Sequence, residues 1–144
     1  MEDLFQRGFN ESYEQFERTI SMENLKVLKE LNLLEQIKYV CAMPGLINVV
    51  FEDYSDLLEG RNIVGYLNCD IKAKEKLIIN KVKDKVATKC IIYITCGTDC
   101  KLSYIMNILQ DVLDNNPELE LVYGTGYNSS FEADQLKIFG LFVA

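Results

Sequence analysis

The run Lys89-Cys90-Ile91-Ile92-Tyr93-Ile94-Thr95 constrains the fold more than any other segment. It is nearly continuous β-favouring sequence, as expected for a strand buried on both faces rather than on one. Such a strand needs neighbours at both edges and layers above and below. The rest of the chain supplies them. Asn62 to Leu67 reads as a short strand, and Asp70 reads as the cap of a helix running from Ile71 to Lys85. After the central strand, Asp99 reads as the cap of a helix over Lys101 to Asn115. Its apolar positions Leu102, Ile105, Met106, Leu109, Val112 and Leu113 follow helical spacing. Leu119 to Tyr127 and Gln135 to Val143 then read as two strands of a long hairpin around the polar turn Asn128 to Asp134. A strand-helix-strand unit favours parallel pairing and a hairpin is antiparallel. The expected fold class is therefore α+β, with a mixed four-stranded sheet, packed helices and two further helices in front.

Those two helices occupy residues 1–40, a helical segment preceding a sheet domain over residues 41–144. In the first, Phe5, Phe9, Tyr13, Phe16 and Ile20 recur at intervals of four, four, three and four, so they share one helix face. Gly8 interrupts that helix at a cost of about 1 kcal/mol. In the second, Ser21 caps and Leu25, Leu28, Leu31, Leu34 and Ile37 line one side until Pro44-Gly45 ends it. Asn48 to Glu59 reads as a loop and short helix closed by Gly60. The acids Glu52, Asp53 and Asp56 suit the first turns of that helix, where the dipole favours negative charge.

Composition excludes several kinds of chemistry. The 144 residues contain no histidine, which removes Ser-His and Cys-His machinery and the commonest general base. The net charge of −7 repels nucleic acid and anionic lipid. No apolar run approaches the ~20 residues of a membrane span. The five cysteines, Cys41, Cys69, Cys90, Cys96 and Cys100, are an odd number following an acidic, leaderless start, which points to reduced thiols in a cytoplasmic protein. They read as small buried hydrophobes, and no metal site is expected. Gly60 and Gly65 have the glycine spacing of a phosphate loop, but Tyr66-Leu67 follows where Lys and Ser or Thr would stand. Gly124-Thr125-Gly126 has no helix behind it to complete a phosphate cradle, and reads as strand twist or a bulge. No cofactor is expected.

Pro44-Gly45-Leu46-Ile47-Asn48, followed by Phe51 and Asp53, resembles the loop and helix that open the C-terminal domain of the FtsZ family, the bacterial tubulin-like division GTPases. Ile94-Thr95-Cys96-Gly97 resembles a strand end of that family, Leu121 to Thr125 a second strand, and Leu136 to Ala144 its last core strand. Element order agrees from Leu25 onward, with Leu25 to Val40 standing for the family's central helix. The resemblance implies an FtsZ C-terminal-like domain without the GTPase domain, whose glycine-rich signature these residues do not contain. It also implies that the loop faces the nucleotide of a neighbouring filament subunit. There the family carries Asn-x-Asp-Phe-x-Asp, and this chain reads Asn48-Val49-Val50-Phe51-Glu52-Asp53. Valine at position 50 can neither polarise water nor approach a metal. The last core strand also ends the sequence, with no tail peptide of the kind that recruits membrane tethers.

The expectation is a non-enzymatic protein that binds a filament subunit and modulates polymer assembly or cell division. Asn48, Val50, Phe51 and Asp53 would be its contact residues. The partner would be full-length FtsZ, with neither nucleic acid nor membrane involved. The competing expectation is a self-assembling homo-oligomeric module with no FtsZ contact. In either case Phe5, Phe9, Phe16 and Ile20 are expected to cover the apolar surface that the GTPase domain covers in the family, within one chain or across a dimer.

Overall fold

The computed structural model describes residues 4–43, 45, 47–72 and 87–144. In chain order the elements are α1 (Leu4–Thr19), α2 (Met22–Glu30), α3 (Leu33–Ala42), α4 (Phe51–Leu58), β1 (Ile63–Lys72), β2 (Lys89–Cys96), α5 (Leu102–Asn115), β3 (Glu120–Tyr127) and β4 (Gln135–Val143). The four strands form one mixed sheet in the order β1-β4-β2-β3. β4 is antiparallel to both of its neighbours, whereas β2 and β3 run parallel through the α5 crossover.

The expected hairpin of Leu119–Tyr127 with Gln135–Val143 does not form, because β2 lies between the two strands. The reason is legible in β4 itself. Leu136, Ile138, Phe139, Leu141, Phe142 and Val143 are all buried, so its apolar residues point to both faces. A strand of this kind is stable only in the interior of a sheet with both faces covered. β4 accordingly sits between β1 and β2.

β1 is longer than expected. Asp70, Ile71 and Lys72 continue the strand, pairing with Lys137, Leu136 and Gln135, rather than opening a helix. Alternation decides it: Tyr66, Asn68, Asp70 and Lys72 are exposed, while Leu67, Cys69 and Ile71 are half-buried between them. Lys72 Nζ is held by Glu132 Oε2 at 3.2 Å and Asp134 Oδ1 at 3.7 Å. The rest of the expected helix, positions 73–85, lies outside the described residues.

The second N-terminal helix comes in two pieces. Ser21 Oγ accepts the Asn24 N–H at 3.2 Å and caps α2 as expected. The helix then breaks at Asn32, whose φ of 58° is left-handed, a conformation asparagine tolerates better than most residues. The break turns α3 so that Leu33, Leu34, Ile37 and Val40 are buried. Leu31, expected on the buried stripe, is left 44% exposed. In α5 the buried residues are Ile105, Ile108, Leu109 and Val112, while Leu102 and Met106 face outward. Asp99 does not cap this helix; Lys101 occupies the cap position, without a side-chain cap hydrogen bond.

The sheet carries a core on each face. Ile91, Tyr93, Phe139, Leu141 and Val143 pack beneath α1 to α4. Cys90, Ile92, Ile94, Leu136, Ile138 and Phe142 pack with α5 on the other side. The helical segment and the sheet thus share one core. Asn24, nearly fully buried, joins them: its Nδ2 donates to Arg61 O at 2.8 Å and its Oδ1 accepts the Ile63 N–H at 3.2 Å. Among the described residues no helix is long and apolar enough to cross a membrane.

Candidate assembly face

The segment between α3 and α4 is laid across the outer edge of β3. Thr125 donates its N–H to Ile47 O at 2.9 Å, an isolated antiparallel bridge. The approach is close enough that side chains on β3 would obstruct it. A Cβ on Gly124 would overlap Val49 Cγ2, and a Cβ on Gly126 would overlap the Tyr93 hydroxyl and Met43 Cγ. On the opposing side, a Cβ on Gly45 would strike Thr125 O. The Gly-Thr-Gly triplet is therefore a seat for the loop, neither a phosphate cradle nor a bulge: β3 pairs with β2 in unbroken register through Thr125 and Gly126.

This seat fixes which loop residues face outward. Val49 is buried over Gly124, leaving Asn48 exposed and Val50 51% exposed. Asp53 turns back on its own helix: its Oδ2 accepts the Val50 N–H at 2.8 Å, capping α4 and satisfying one of its free amides. Phe51 is not on the surface. Only 6% exposed, it heads the buried side of α4, and its ring meets those of Phe9 at 5.1 Å, Tyr13 at 5.6 Å and Phe16 at 5.6 Å. Of the four expected contact residues, Asn48 and Val50 are exposed, Asp53 is engaged in capping, and Phe51 belongs to the core.

α1 is held by that aromatic cluster. Phe16 and Ile20 are buried and Phe9 is half-buried, whereas Phe5 is 75% exposed within the single chain. It lies one turn before the cluster begins. Beside the cluster, α1 and α4 leave an open trough of about 740 Å³. Leu4 and Phe5 stand at one end, Thr19 and Ser55 at the other, and Cys41 contributes to its lining. The Thr19 and Ser55 hydroxyls lie 3.2 Å apart.

Two ionisable groups beneath this face, Cys41 and Tyr54, are held in their neutral forms. Burial pushes the Cys41 thiol up to about 12, assisted by the negative charge of Asp53. Burial also raises Tyr54 well above the ordinary phenol value, with smaller contributions from Cys41, Tyr93 and Asp53. The Tyr54 and Tyr93 hydroxyls are buried without a hydrogen-bond partner. Sequence reading missed both as polar groups in the core, since nothing in their spacing separates a tyrosine that reaches water from one that does not. Among the described residues no group of three or more metal-ligating side chains comes together.

No protein-family model matches the sequence, and no curated protein matches it. Solved structures do match. An empty FtsZ dimer from M. jannaschii superposes with a TM-score of 0.56 at 18% identity, over 83% of this chain and 38% of that one. An FtsZ point mutant from the same organism gives 0.53 at 18% identity, over 87% of this chain and 42% of that one. The chain thus spans about two fifths of the length of the structures it matches. The four-stranded mixed sheet and its helical layers make up a fold like that of the FtsZ C-terminal domain.

Proposed function

We propose that this protein is a non-catalytic FtsZ-like module that binds a filament subunit and modulates polymer assembly. The observation that carries the reading is the loop seated on β3, which holds Asn48 and Val50 outward at the entrance to α4. That loop is where the family resemblance puts the contact with a neighbouring subunit's nucleotide. A subunit docked through it would present Val50 where the family has an aspartate, and would contribute no carboxylate there for activating water. Asp53, committed to the α4 cap, supports the loop's shape rather than touching the partner.

Light scattering of a complete FtsZ polymerising with GTP tests this. Protein of these 144 residues, added well below the FtsZ concentration, is expected to change the scattering plateau. Asn48→Ala is expected to weaken the effect. No change with either protein, or the same change with both, would remove the loop from the account.

A second reading, self-assembly without FtsZ, draws on α5. Leu102 and Met106, one turn apart, are 62% and 45% exposed. Sedimentation equilibrium separates the readings: a dimer lost in Leu102→Ser/Met106→Ser would favour self-assembly.

A further inference from the structure

We propose that the outer edge of β1 pairs with the same edge of a second copy of this chain, in an antiparallel register centred on Cys69. This interface is separate from the loop seated on β3 and from the exposed residues of α5, so it stands whether or not the protein contacts FtsZ.

β1 ends the sheet, and among the described residues nothing pairs with its outer side. The direction of its backbone groups follows from β4. The Val143 carbonyl accepts the Thr88 N–H at 2.9 Å on the β2 side, whereas Ala144 exchanges two hydrogen bonds with Asn62 on the β1 side. Such directions alternate along an antiparallel strand. Phe142, Gly140, Ile138 and Leu136 therefore turn their backbone groups toward β1, where they meet Gly65, Leu67, Cys69 and Ile71. The N–H and C=O groups of Tyr66, Asn68, Asp70 and Lys72 are left pointing outward. This stretch, about 20 Å long, lies beyond the register shift between Ile63 and Gly65 and contains no proline. Lys72, of the residue type that commonly guards a sheet edge, is drawn toward the turn before β4 by Glu132 and Asp134.

The occupant follows from the way this edge complements itself. Only residues with outward backbone groups can hydrogen-bond across it, so an even-numbered residue must face an even-numbered one. Centring the pair on Asp70 sets aspartate directly against aspartate, which is destabilising. Centring it nearer the start of the strand runs into the register shift, and nearer the end leaves few paired residues. Centring on Cys69 uses the whole regular stretch. Asn68 then faces Asp70 of the second copy, and Tyr66 faces the stem of Lys72. On the side that borders the α5 core, Leu67 faces Ile71 and Cys69 faces its own counterpart. No like charges are directly opposed, apolar residues meet apolar ones, and every outward N–H and C=O from Tyr66 to Lys72 finds a partner. The two sheets become one. The net charge of −7 on each copy opposes association, and salt relieves that repulsion without disturbing backbone pairing.

Sedimentation equilibrium of the whole 144-residue protein tests the proposal at about 0.15 M salt, where charges more than about 8 Å apart are largely screened. A monomer–dimer equilibrium is expected. Asn68→Pro removes an outward N–H that β4 does not use, and is expected to weaken the dimer by about tenfold or more. Asn68→Asp sets aspartate opposite Asp70 and is expected to weaken the dimer severalfold; Asn68→Lys sets lysine there and is expected to tighten it to a similar degree. Asn107→Lys, on the exposed side of α5, makes the same change in net charge and is expected to leave the dimer unaltered. Thermal melts identify any variant that fails to fold, and the others then carry the test. In this register the two Cys69 residues form a closely spaced pair with Cα atoms about 4.5 Å apart, within disulfide reach. Diamide is therefore expected to cross-link the dimer, and not to do so in Cys69→Ser. A protein that stays monomeric up to about 1 mM would overturn the proposal. So would a dimer that withstands Asn68→Pro, that does not cross-link through Cys69, or that is lost in Leu102→Ser/Met106→Ser, because the interface would then lie elsewhere.

Discussion

The ring of Phe9 on α1 lies 5.1 Å from the ring of Phe51 on α4, with 57° between their planes. This contact and its neighbours attach α1 to the rest of the protein, and they rank the aromatic residues of α1 by energy. Phe16 is 2% exposed and Phe5 is 75% exposed. Phe16→Ala is expected to cost about 3–5 kcal/mol and Phe5→Ala close to nothing. Urea unfolding of the two variants checks this, and similar losses from both would contradict the placement of α1.

Glycines at three positions are expected to respond in opposite directions. Alanine at Gly124 or Gly126 would push into the loop seat, with an expected loss of about 1–3 kcal/mol. Alanine at Gly8 meets open space and favours the helix, with an expected gain of up to about 1 kcal/mol. Thermal melting of the three single variants measures the contrast. Destabilisation by Gly8→Ala would mean that α1 packs more tightly there.

Asn24 is the polar tie between α2 and the start of β1. Asn24→Ala leaves the partly buried Arg61 carbonyl and Ile63 amide without their side-chain partner. The expected cost is about 1–3 kcal/mol, the penalty for such stranded groups. Hydrogen exchange at Ile63 should accelerate along with the loss of stability. An unchanged exchange rate would show that the Ile63 amide finds another acceptor.

Alkaline pH should weaken the protein through its buried thiols. Burial holds Cys90 at about 12 in the folded state, against about 8.5 in an unfolded chain. Below the unfolded value both states keep the proton and the stabilisation is complete. Between about 8.5 and 12 only the unfolded state releases it, so stability falls as pH rises. Cys41 and Cys96, also pushed up to about 12, act in the same direction. Denaturant unfolding at a series of pH values from 8 to 11 should show a decline that is shallower in Cys90→Ala. Parallel declines would exclude a contribution from this thiol.

Local signals carried most of the architecture. The apolar run located β2, the 3.6-residue stripes located α1, α5 and the stretch that holds α2 and α3, and the acidic first turn with its closing Gly60, whose φ is +68°, located α4. Failures came where a long-range choice overrode a local signal. The polar turn before Gln135 is compatible with a hairpin, but two-faced burial of β4 requires neighbours on both sides and moves it away from β3. The break at Asn32 is a single left-handed residue within a periodic leucine stripe, and periodicity is blind to it. At the candidate face, sequence located the loop but not the direction of its side chains. Phe51 was invisible as a core residue because its burial depends on α1, which arrives from more than thirty positions earlier. The seating role of Gly124 and Gly126 likewise depends on a loop some eighty residues away.

Sheet order has a consequence for how the chain acquires its structure. β4 comes last of the four strands in sequence, yet it is the one that β1 and β2 both require. Its partner residues in β1 are separated from it by some eighty positions at the far end of the register, as in Ile63 opposite Val143. During synthesis, β1 and β2 emerge with the gap between them unfilled, and only the β2-α5-β3 unit can pair early. Closing the sheet is then one late, long-range event of the kind that slows folding. Until it happens, the inward edges of β1 and β2 are open to any strand that reaches them first.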